Sequence, residues 1–410
     1  MVKNSYHTMF RKVMGLLLLY LFTSLPLTAQ QARYSSKLKW SASHFTDTID
    51  IEWERNQVYV PVEISGKRYR FLFDTGAAQA VVYADTPIEG CTPAGWIRSH
   101  DAIGASDTVS MVILPAITLG NITMNGCQAT VQQRPVRGRN IDGIIGFNII
   151  NSGLTAKIDV RKRHLILTDN KKFYKQEEGL ETRYRLQFHV PYFIISPFGR
   201  YQESVLFDTG SRQLYVMNRQ SFEACAEKTG AFFDTQIEGR SVGRHAIGHF
   251  GVEPLSEVVY LHLNDLRIFG SSFGDFHTLT TLGESHIGAK LLEYGAVIFN
   301  PRKKRIRFQP YEQQTEITVG NKPLDIAFVS ENGKPCVGLV WEQSDAYKAG
   351  FRQGDIITKI DDSIVSNFTQ FVTWPFIIGR EYRFTVKAPS GLTREIRWTR
   401  IKDYTQQQRN

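Results

Sequence analysis

Two aspartates in this chain have nearly the same sequence surroundings, and their side chains have the chemistry to act together on water. Asp74 and Asp208 each begin the tripeptide Asp-Thr-Gly, and each follows the same Leu-Phe dipeptide. When two carboxyl groups share one proton, the ionised group takes a proton from water while the protonated group hydrogen-bonds a carbonyl oxygen. Like charges at close range do not both ionise, so such a pair titrates in two separate steps. The repeat therefore predicts a hydrolytic site assembled from two parts of the chain.

The residues that follow each aspartate suit the task of holding a carboxyl group in place. Gly76 and Gly210 allow the backbone to turn tightly beneath the acid. The hydroxyl groups of Thr75 and Thr209 are short enough to bond across to the opposite copy, and Ser211 adds a third hydroxyl beside the second acid. An aspartate at the end of a strand is held on a rigid element, as a preorganised site requires.

The similarity between the two copies extends beyond the tripeptide and indicates a duplication. Residues 71–83 and 205–217 are identical at seven of 13 aligned positions. Matching segments in the same order along a chain favour two related lobes. The further matching pairs are Val60-Pro61 with Val190-Pro191, and 144–147 with 286–289.

These motifs resemble the catalytic loops of aspartic proteases, and Ile144-Ile145-Gly146 resembles the segment that packs behind that loop in the retropepsin-like branch. The resemblance covers residues 58–310 and implies a mostly β, bilobal fold with a cleft between the lobes. It implies an aspartic endopeptidase acting on a peptide or protein substrate. Carried over by position, the catalytic pair is Asp74 and Asp208, and the supporting residues are Thr75, Gly76, Thr209, Gly210 and Ser211.

Some features depart from this family and keep other interpretations open. No tyrosine lies between Tyr83 and Gly146, whereas pepsin-type enzymes have one in the flap over the cleft. Arg212 follows the second site loop, and a nearby guanidinium favours ionisation of both carboxyls. These departures favour a catalytically silent peptide-binding protein with the same fold. A further alternative is that both aspartates only form turns at strand ends.

Two glycine-containing segments are candidates for flaps over the cleft. In the first lobe the flap is expected near 104–108. In the second lobe, His245 and His249 have a spacing found in metal sites, but the glycines around them favour a loop. We therefore expect a second-lobe flap there rather than a metal site.

The N-terminus has the pattern of a secretory signal, which we assign to residues 1–29. Basic residues precede a ten-residue uncharged stretch from Val13 to Phe22, and Leu27-Thr28-Ala29 is typical of a cleavage site. The sequence thus predicts an exported protein, periplasmic or secreted, that contacts the membrane only through this segment before cleavage. An uncleaved anchor is the alternative.

The remaining chain divides into two lobes, a connector and a further domain. We expect lobe 1 at 45–168, a polar connector at 169–183 and lobe 2 at 184–312. From 316 to 402 the pattern changes, and 344–361 reads Ser-x-Ala-x-x-Ala-Gly-x-x-x-Gly-Asp-Ile-Ile-x-x-Ile-Asp, which resembles a PDZ domain of the bacterial protease-associated kind. The resemblance implies that an extended peptide tail binds there as an added strand, or that the domain gates the cleft.

Charge and cysteine content argue against other classes of function. The net charge of +9 comes from basic residues that are scattered or lie in short clusters, so we expect no nucleic-acid partner. No pair among the four cysteines has zinc-site spacing, and we expect neither a metal nor another cofactor. Most of the cysteines are expected to be buried thiols, with a Cys91–Cys127 disulfide as the alternative in an exported chain.

Overall fold

A computed structural model of the chain describes residues 31–35, 37–134, 140–199, 201–229, 234–313 and 315–399. The predicted signal segment, 1–29, lies outside these ranges. None of the helices within them has the length and apolar character that crossing a membrane requires.

Strands predominate in the described ranges, which confirms the mostly β prediction. The N-terminal part contains β1 Lys39–Trp40, β2 Thr46–Asp50, β3 Glu52–Glu54, β4 Gln57–Ile64, β5 Lys67–Asp74, β6 Ala80–Tyr83, β7 Thr92–His100, β8 Ser106–Ile113, β9 Ile117–Leu119, β10 Ile122–Asn125, β11 Gln128–Gln132 and β12 Gly143–Gly146. The central part contains β13 Thr155–Asp159, β14 His164–Thr168, β15 Leu180–Gln187, β16 Val190–Phe198, β17 Tyr201–Asp208, β18 Tyr215–Asn218, β19 Ile237–Gly243, β20 Ser256–Leu263, β21 Leu266–Ile268, β22 Ser271–Gly274, β23 Phe276–Thr281, β24 His286–Gly288, β25 Gly295–Asn300 and β26 Arg305–Pro310. The C-terminal part contains β27 Glu316–Thr318, β28 Ile326–Glu331, β29 Lys334–Val340, β30 Ile356–Ile360, β31 Ser363–Ile364, β32 Glu381–Lys387 and β33 Thr393–Thr399. The helices are α1 Asn148–Asn151, α2 Phe173–Gln176, α3 Arg219–Thr229, α4 Asp345–Ala349 and α5 Phe368–Val372, with a 3-10 helix at Ala289–Glu293.

The strands form three sheets. The first runs β1-β10-β9-β4-β5-β12-β6-β11-β8-β7, and the second runs β19-β20-β23-β18-β24-β17-β16-β15-β26-β25-β13-β14-β2. The third runs β28-β29-β30-β32-β33 and belongs to the C-terminal domain. Strand β5, which ends at Asp74, lies in the first sheet, and strand β17, which ends at Asp208, lies in the second. The two copies therefore occupy separate lobes.

One stretch of the second sheet, β2-β14-β13-β25-β26-β15, joins the lobes through their backbones. At its centre β13 pairs antiparallel with β25, which places Ala156 opposite Phe299 and Ile158 opposite Val297. The hairpins β13–β14 and β25–β26 are the same element in the two lobes. Their turns hold the basic residues 161–163 and 302–304, which are exposed, so these charges are solvated turn residues.

The hairpins that lead into the site strands also repeat, but not as the aligned Val-Pro pairs suggest. Tyr59 of β4 lies opposite Leu72, and Tyr192 of β16 lies opposite Leu206, so the two tyrosines are equivalent. The Val-Pro pair is therefore at different positions in the two lobes. The turns before β4 and β16 show the equivalence better. Arg55 and Asn56 in one turn, and Phe188 and His189 in the other, all adopt positive φ, as a tight type I′ turn requires.

A single hydrophobic core spans both lobes. Phe147, which follows β12, packs edge-on against Phe299 of β25 with ring centroids 5.3 Å apart. Phe207 of β17 packs on the same ring at 5.5 Å, and all three phenylalanines are fully buried. Burying large side chains of both lobes in one cluster favours a fixed relative position of the two site strands.

The C-terminal domain has a core of its own, built around Phe328, Phe351 and Phe384. A short helix, α4, follows the capping residue Ser344 and is ended by Gly350, whose φ of 115° suits a helix C-terminus. Helix α5 packs on the edge strand β28, where the rings of Phe371 and Phe328 are 4.7 Å apart.

The segment predicted as a connector, 169–183, contains α2 and the first part of β15. Its polar composition reflects the exposed side of that strand, where Glu181 forms ion pairs with Arg305 and Arg307. The cysteines are free thiols: Cys127, Cys225 and Cys336 are buried, and the Cys91–Cys127 disulfide is not formed. Burial raises the pKa of the Cys127 thiol to about 12, which makes it unreactive.

Candidate active site

Asp74 and Asp208 lie at the ends of two equivalent strands. In lobe 1, β12 runs parallel to β5 and places Gly146 opposite Asp74. In lobe 2, β24 runs parallel to β17 and places Gly288 opposite Asp208. A Cβ atom at either of these glycines would overlap the backbone of the loop after the aspartate. Glycine therefore allows the segment behind each site loop to pack closely.

Thr75 and Thr209 connect the two loops through four hydrogen bonds. The backbone N–H of Thr75 donates to Thr209 Oγ1 at 3.0 Å, and the N–H of Thr209 donates to Thr75 Oγ1 at 3.1 Å. Each hydroxyl in turn donates to a backbone carbonyl of the opposite strand, to Phe207 O at 2.6 Å and Phe73 O at 2.7 Å. Both threonines are buried, so each loop is held by the other.

This interlocking brings the two carboxyl groups together. A Cβ atom added to Gly76 would lie 2.6 Å from Asp208 Cγ, and one added to Gly210 would lie 2.6 Å from Asp74 Cγ. Each carboxyl thus lies against the glycine of the other loop, where any side chain would displace it. Both acid groups therefore lie at the contact between the two site loops.

Backbone amides orient the two carboxylates in the same way. Gly76 N donates to Asp74 Oδ1 at 2.8 Å, and Gly210 N donates to Asp208 Oδ1 at 2.8 Å. Ala77 N also donates to Asp74 Oδ1, at 3.2 Å. With one oxygen of each acid fixed by the turn, the orientation of the other follows from the geometry of the carboxyl group.

The loop after Asp208 carries a polar pair that lobe 1 lacks. Ser211 Oγ lies 3.0 Å from His286 Nε2, and the other ring nitrogen of His286 lies 2.9 Å from the carbonyl of Glu284. Burial lowers the pKa of His286, which favours the neutral ring. Nδ1–H then donates to Glu284 O, and Nε2 accepts from Ser211. Lobe 1 has Ala77 and Ile144 at the equivalent positions, so it cannot form this pair.

Arg212 bridges the lobes beneath the site loops. Its guanidinium donates to Gln57 Oε1 at 2.6 Å, and Gln57 Nε2 donates to the carbonyl of Gly210 at 2.9 Å. Asn56 Nδ2 completes the link with a 3.3 Å bond to Arg212 O. Both Gln57 and Arg212 are buried. Arg212 thus connects the loop after Asp208 to the β3–β4 hairpin of the other lobe.

Sequence reasoning missed Tyr192, whose hydroxyl donates to Glu284. The pKa of Tyr192 is raised by burial first, then by its bond to Glu284 and the charges of Glu284 and Asp208, so the hydroxyl stays protonated. Its equivalent, Tyr59, donates to Gln57 at 3.0 Å. Aligning the two hairpin turns instead of the Val-Pro pairs would have revealed this tyrosine pair.

Two hairpin tips meet over the lobe boundary, near both expected flaps. The β7–β8 tip spans 101–105 and overlaps the predicted 104–108 segment at 104 and 105, and the β19–β20 tip spans 244–255. Asp101 Oδ2 accepts from Phe250 N at 2.9 Å, and Ala102 O accepts from Glu284 N at 3.2 Å. The two tips are therefore in contact. His245 and His249 lie in this second-lobe loop, as expected.

Glu253 holds the second tip in place from inside. Its Oε1 accepts from the N–H groups of His245 and Ala246 at 2.9 and 2.8 Å. Its Oε2 accepts from the Thr281 hydroxyl at 2.9 Å and from Leu282 N at 3.2 Å. Burial alone would raise the pKa of Glu253, but the nearby His245 and these N–H donors lower it. The buried carboxylate therefore anchors the loop in its ionised form.

Comparison with known proteins gives one family match. A sequence profile described as aspartyl protease matches residues 60–149, which include Asp74, its loop and Gly146. A search of curated proteins found no match. Among solved structures, Basic 7S globulin from soybean matches with 11% identity, covering 64% of this chain and 94% of that chain with a TM-score of 0.40, a similarity that carries no argument. The profile match and the strand-end loops support an aspartyl-protease-like fold and a peptidase-like function.

The threonine bonds give a prediction about stability. Thr75→Val leaves the Thr209 N–H and the Phe207 carbonyl buried without their partner, so we expect a loss of about 2–4 kcal/mol in the free energy of unfolding. Thr75→Ser keeps the hydroxyl and should lose less than about 1 kcal/mol. Denaturant unfolding measures both variants. A Val variant no less stable than the Ser variant would show that the cross-lobe bonds contribute nothing.

The anchoring of Glu253 gives a prediction about pH. Because the folded-state pKa lies below the ordinary value of 4.5, its stabilising effect is complete above pH 4.5 and is lost as the pH falls through the lowered pKa. Hydrogen exchange at the amides of His245, Ala246 and Leu282, corrected for intrinsic rates, should speed up in acid. Glu253→Gln should exchange fast at every pH, while Glu63→Gln, at an exposed position, should behave as the wild type. Equal protection in Glu253→Gln and the wild type would contradict the anchoring role.

Proposed function

We propose that the chain is an exported aspartic endopeptidase in which Asp74 and Asp208 activate water between the lobes. The observation that carries this proposal is the reciprocal placement of the two carboxyls, each against the glycine of the opposite loop. Export is inferred from the signal pattern of residues 1–29. The match of the aspartyl protease profile around Asp74 supports the class of reaction.

The mechanism follows from two carboxyls that share one proton. The ionised carboxylate removes a proton from water as the water oxygen attacks the peptide carbonyl carbon. The protonated carboxyl donates its hydrogen bond, then its proton, to the carbonyl oxygen, giving a gem-diol intermediate. Collapse of that intermediate breaks the C–N bond, with a proton passing to the leaving nitrogen and the second hydroxyl proton returning to the pair. No other group is required for the proton balance.

Asp74→Asn and Asp208→Asn test this proposal directly. Either change removes the shared proton, so turnover should fall by about 100- to 10,000-fold while thermal unfolding stays close to the wild type. Protein lacking residues 1–29 is incubated with a diverse peptide library from acidic to neutral pH, with and without a statine-type inhibitor. Asp50→Asn, whose side chain is 96% exposed, is the matched control. Full activity in either Asn variant would exclude the shared-proton mechanism.

Arg212 favours one alternative, a catalytically silent peptide-binding protein. Its buried guanidinium lies on the loop after Asp208, and a positive charge near the pair favours ionisation of both acids. The same library separates the two functions. Peptides that bind without being cleaved, equally well to the wild type and the Asn variants, would support the binding protein.

For the C-terminal domain we propose the PDZ fold and a role in gating the cleft. The domain contacts the β19–β20 hairpin of the second lobe through Arg244. The N–H of Arg244 donates to Gly338 O at 2.9 Å, and its guanidinium forms an ion pair with Glu331. Trp341 stacks on Tyr260 of β20 with centroids 5.2 Å apart. Phe250, in the same hairpin tip as Arg244, meets the first-lobe tip at Asp101, so movement of the domain is passed to the contact between the two tips.

Tail binding remains the other role proposed for this domain. The edge strand β28 and helix α5 border the groove in which a peptide would add as a strand. Asp325, at the start of β28, is buried and would oppose a terminal carboxylate. This unfavourable charge favours gating over tail binding as the role of the domain.

Trp341→Ala tests the gating role. Loss of the stacked ring should loosen the hairpin, so KM for a folded protein substrate should change at least about fivefold while kcat on short peptides stays within about twofold. Trp341→Phe keeps an aromatic ring on Tyr260 and should resemble the wild type. If short-peptide cleavage is lost altogether, the domain is part of the site itself, and the gating role is wrong.

A further inference from the structure

Three neighbouring strands of lobe 2 bring two histidines and a glutamate to one place, away from the aspartates. His262 of β20 and His277 of β23 lie directly opposite each other in the antiparallel register. Glu238 comes from β19, on the other side of β20. Nitrogen atoms of the two rings and a carboxylate oxygen of Glu238 all lie within 4.8 Å of one another. The proposed peptidase mechanism uses none of these residues.

A backbone irregularity places Glu238 in this group. The register of β19 on β20 shifts between Ile237 and Gly239, so Glu238 is the extra residue of a bulge. A bulge redirects a side chain that regular alternation would place elsewhere, and such irregularities are common beside functional sites. Here it brings a carboxylate to the face of the sheet that carries both imidazoles.

The two edges of the imidazole rings meet different carboxylates. On one edge, Glu238 Oε2 lies 2.7 Å from His277 Nδ1. On the other edge, Asp275 Oδ1 lies 2.9 Å from His262 Nε2 and 4.0 Å from His277 Nε2. The rings are stacked, with centroids 4.2 Å apart and planes 10° from parallel. His277 Nδ1 thus faces Glu238, while Asp275 accepts from the Nε2–H group of His262.

We propose that Glu238, His262 and His277 form a zinc-binding site, with Asp275 orienting the His262 ring from behind. Neutral imidazole nitrogens and a carboxylate oxygen are ligands that Zn²⁺ takes in tetrahedral sites. A carboxylate behind a ligating histidine fixes its tautomer and raises its basicity. The three residues supply three ligands, and water supplies the fourth. The lone pairs of parallel rings do not converge, so binding requires both rings to tilt toward the ion.

The three side chains are exposed enough for an ion to reach them, and they lie close to the C-terminal domain. The side chains of His277 and Glu238 are 13% and 21% exposed, and that of His262 is 34% exposed, so the site is reachable but partly shielded from water. Gly239, next to Glu238, lies against Trp341, whose Nε1 would be 2.8 Å from an added Cβ. A bound ion would therefore fix the base of the β19–β20 hairpin beside the C-terminal domain.

Titration of the metal-free full chain with Zn²⁺ tests this site. Protein stripped with a chelator is titrated by calorimetry, and Co²⁺ is used to read the coordination from its visible absorption. We expect one Zn²⁺ per chain, at least about 100-fold weaker binding in His262→Gln and in His277→Gln, and about 10- to 100-fold weaker binding in Asp275→Asn. His164→Gln is the matched control, because His164 also faces an aspartate, Asp50, but lies outside the cluster.

Thermal unfolding shows whether a variant has lost the ligand or the fold. Zn²⁺ should raise the Tm of the wild type and of His164→Gln but not of His277→Gln, whose Tm should match that of the wild type in chelator. Glu238→Gln provides a second variant if a histidine variant fails to fold. Absence of binding, or binding that neither Glu238→Gln nor His262→Gln weakens, would overturn the proposal.

Discussion

The structure depends on the exchange of hydrogen bonds between Thr75 and Thr209. Each loop positions its aspartate only because the hydroxyl of the other loop satisfies its buried N–H group and because its own hydroxyl reaches the opposite strand. Buried polar groups without partners are costly, so neither half is stable in this form without the other. The interlobe pairing of β13 with β25 and the rings of Phe147, Phe207 and Phe299 hold the lobes at the distance that these short bonds require. The reciprocal contact of the carboxyls with Gly76 and Gly210 then follows from the same geometry.

The duplication left two lobes with one shared framework and different additions. Lobe 2 carries the Ser211–His286 pair, which lobe 1 lacks. Its Tyr192 donates to Glu284, whereas the equivalent Tyr59 of lobe 1 donates to Gln57. Glu284 also donates its N–H to the first-lobe hairpin tip at Ala102. Lobe 2 therefore links the surroundings of Asp208 to the tips above the cleft, and through β19 to the C-terminal domain. The C-terminal domain contacts the second-lobe hairpin directly, so the gating that we propose for it acts on this lobe.

The sequence was sufficient to predict the strand-end loops, because Asp-Thr-Gly behind an apolar run has a strong local preference for a strand followed by a tight turn. The mostly β fold was predicted from the family resemblance that these loops carry. Contacts between distant segments were not predictable. The Val-Pro pairs gave the wrong alignment of β4 with β16. The equivalence of these strands follows from the positive φ of the turn residues before them, not from identical residues within them. The interlobe role of Arg212 depends on Gln57, which is 155 residues away. The redirection of Glu238 comes from a bulge that leaves no mark in the residue pattern.

The pH dependence of kcat/KM for peptide hydrolysis tests most directly the claim that Asp74 and Asp208 act as one pair. Two interacting carboxyls titrate in two macroscopic steps, and activity requires the state with one proton. We expect a bell-shaped profile on the acidic side of neutrality, with both limbs belonging to the pair. A profile governed by a single group, or hydrolysis that rises to a plateau above neutrality, would contradict it.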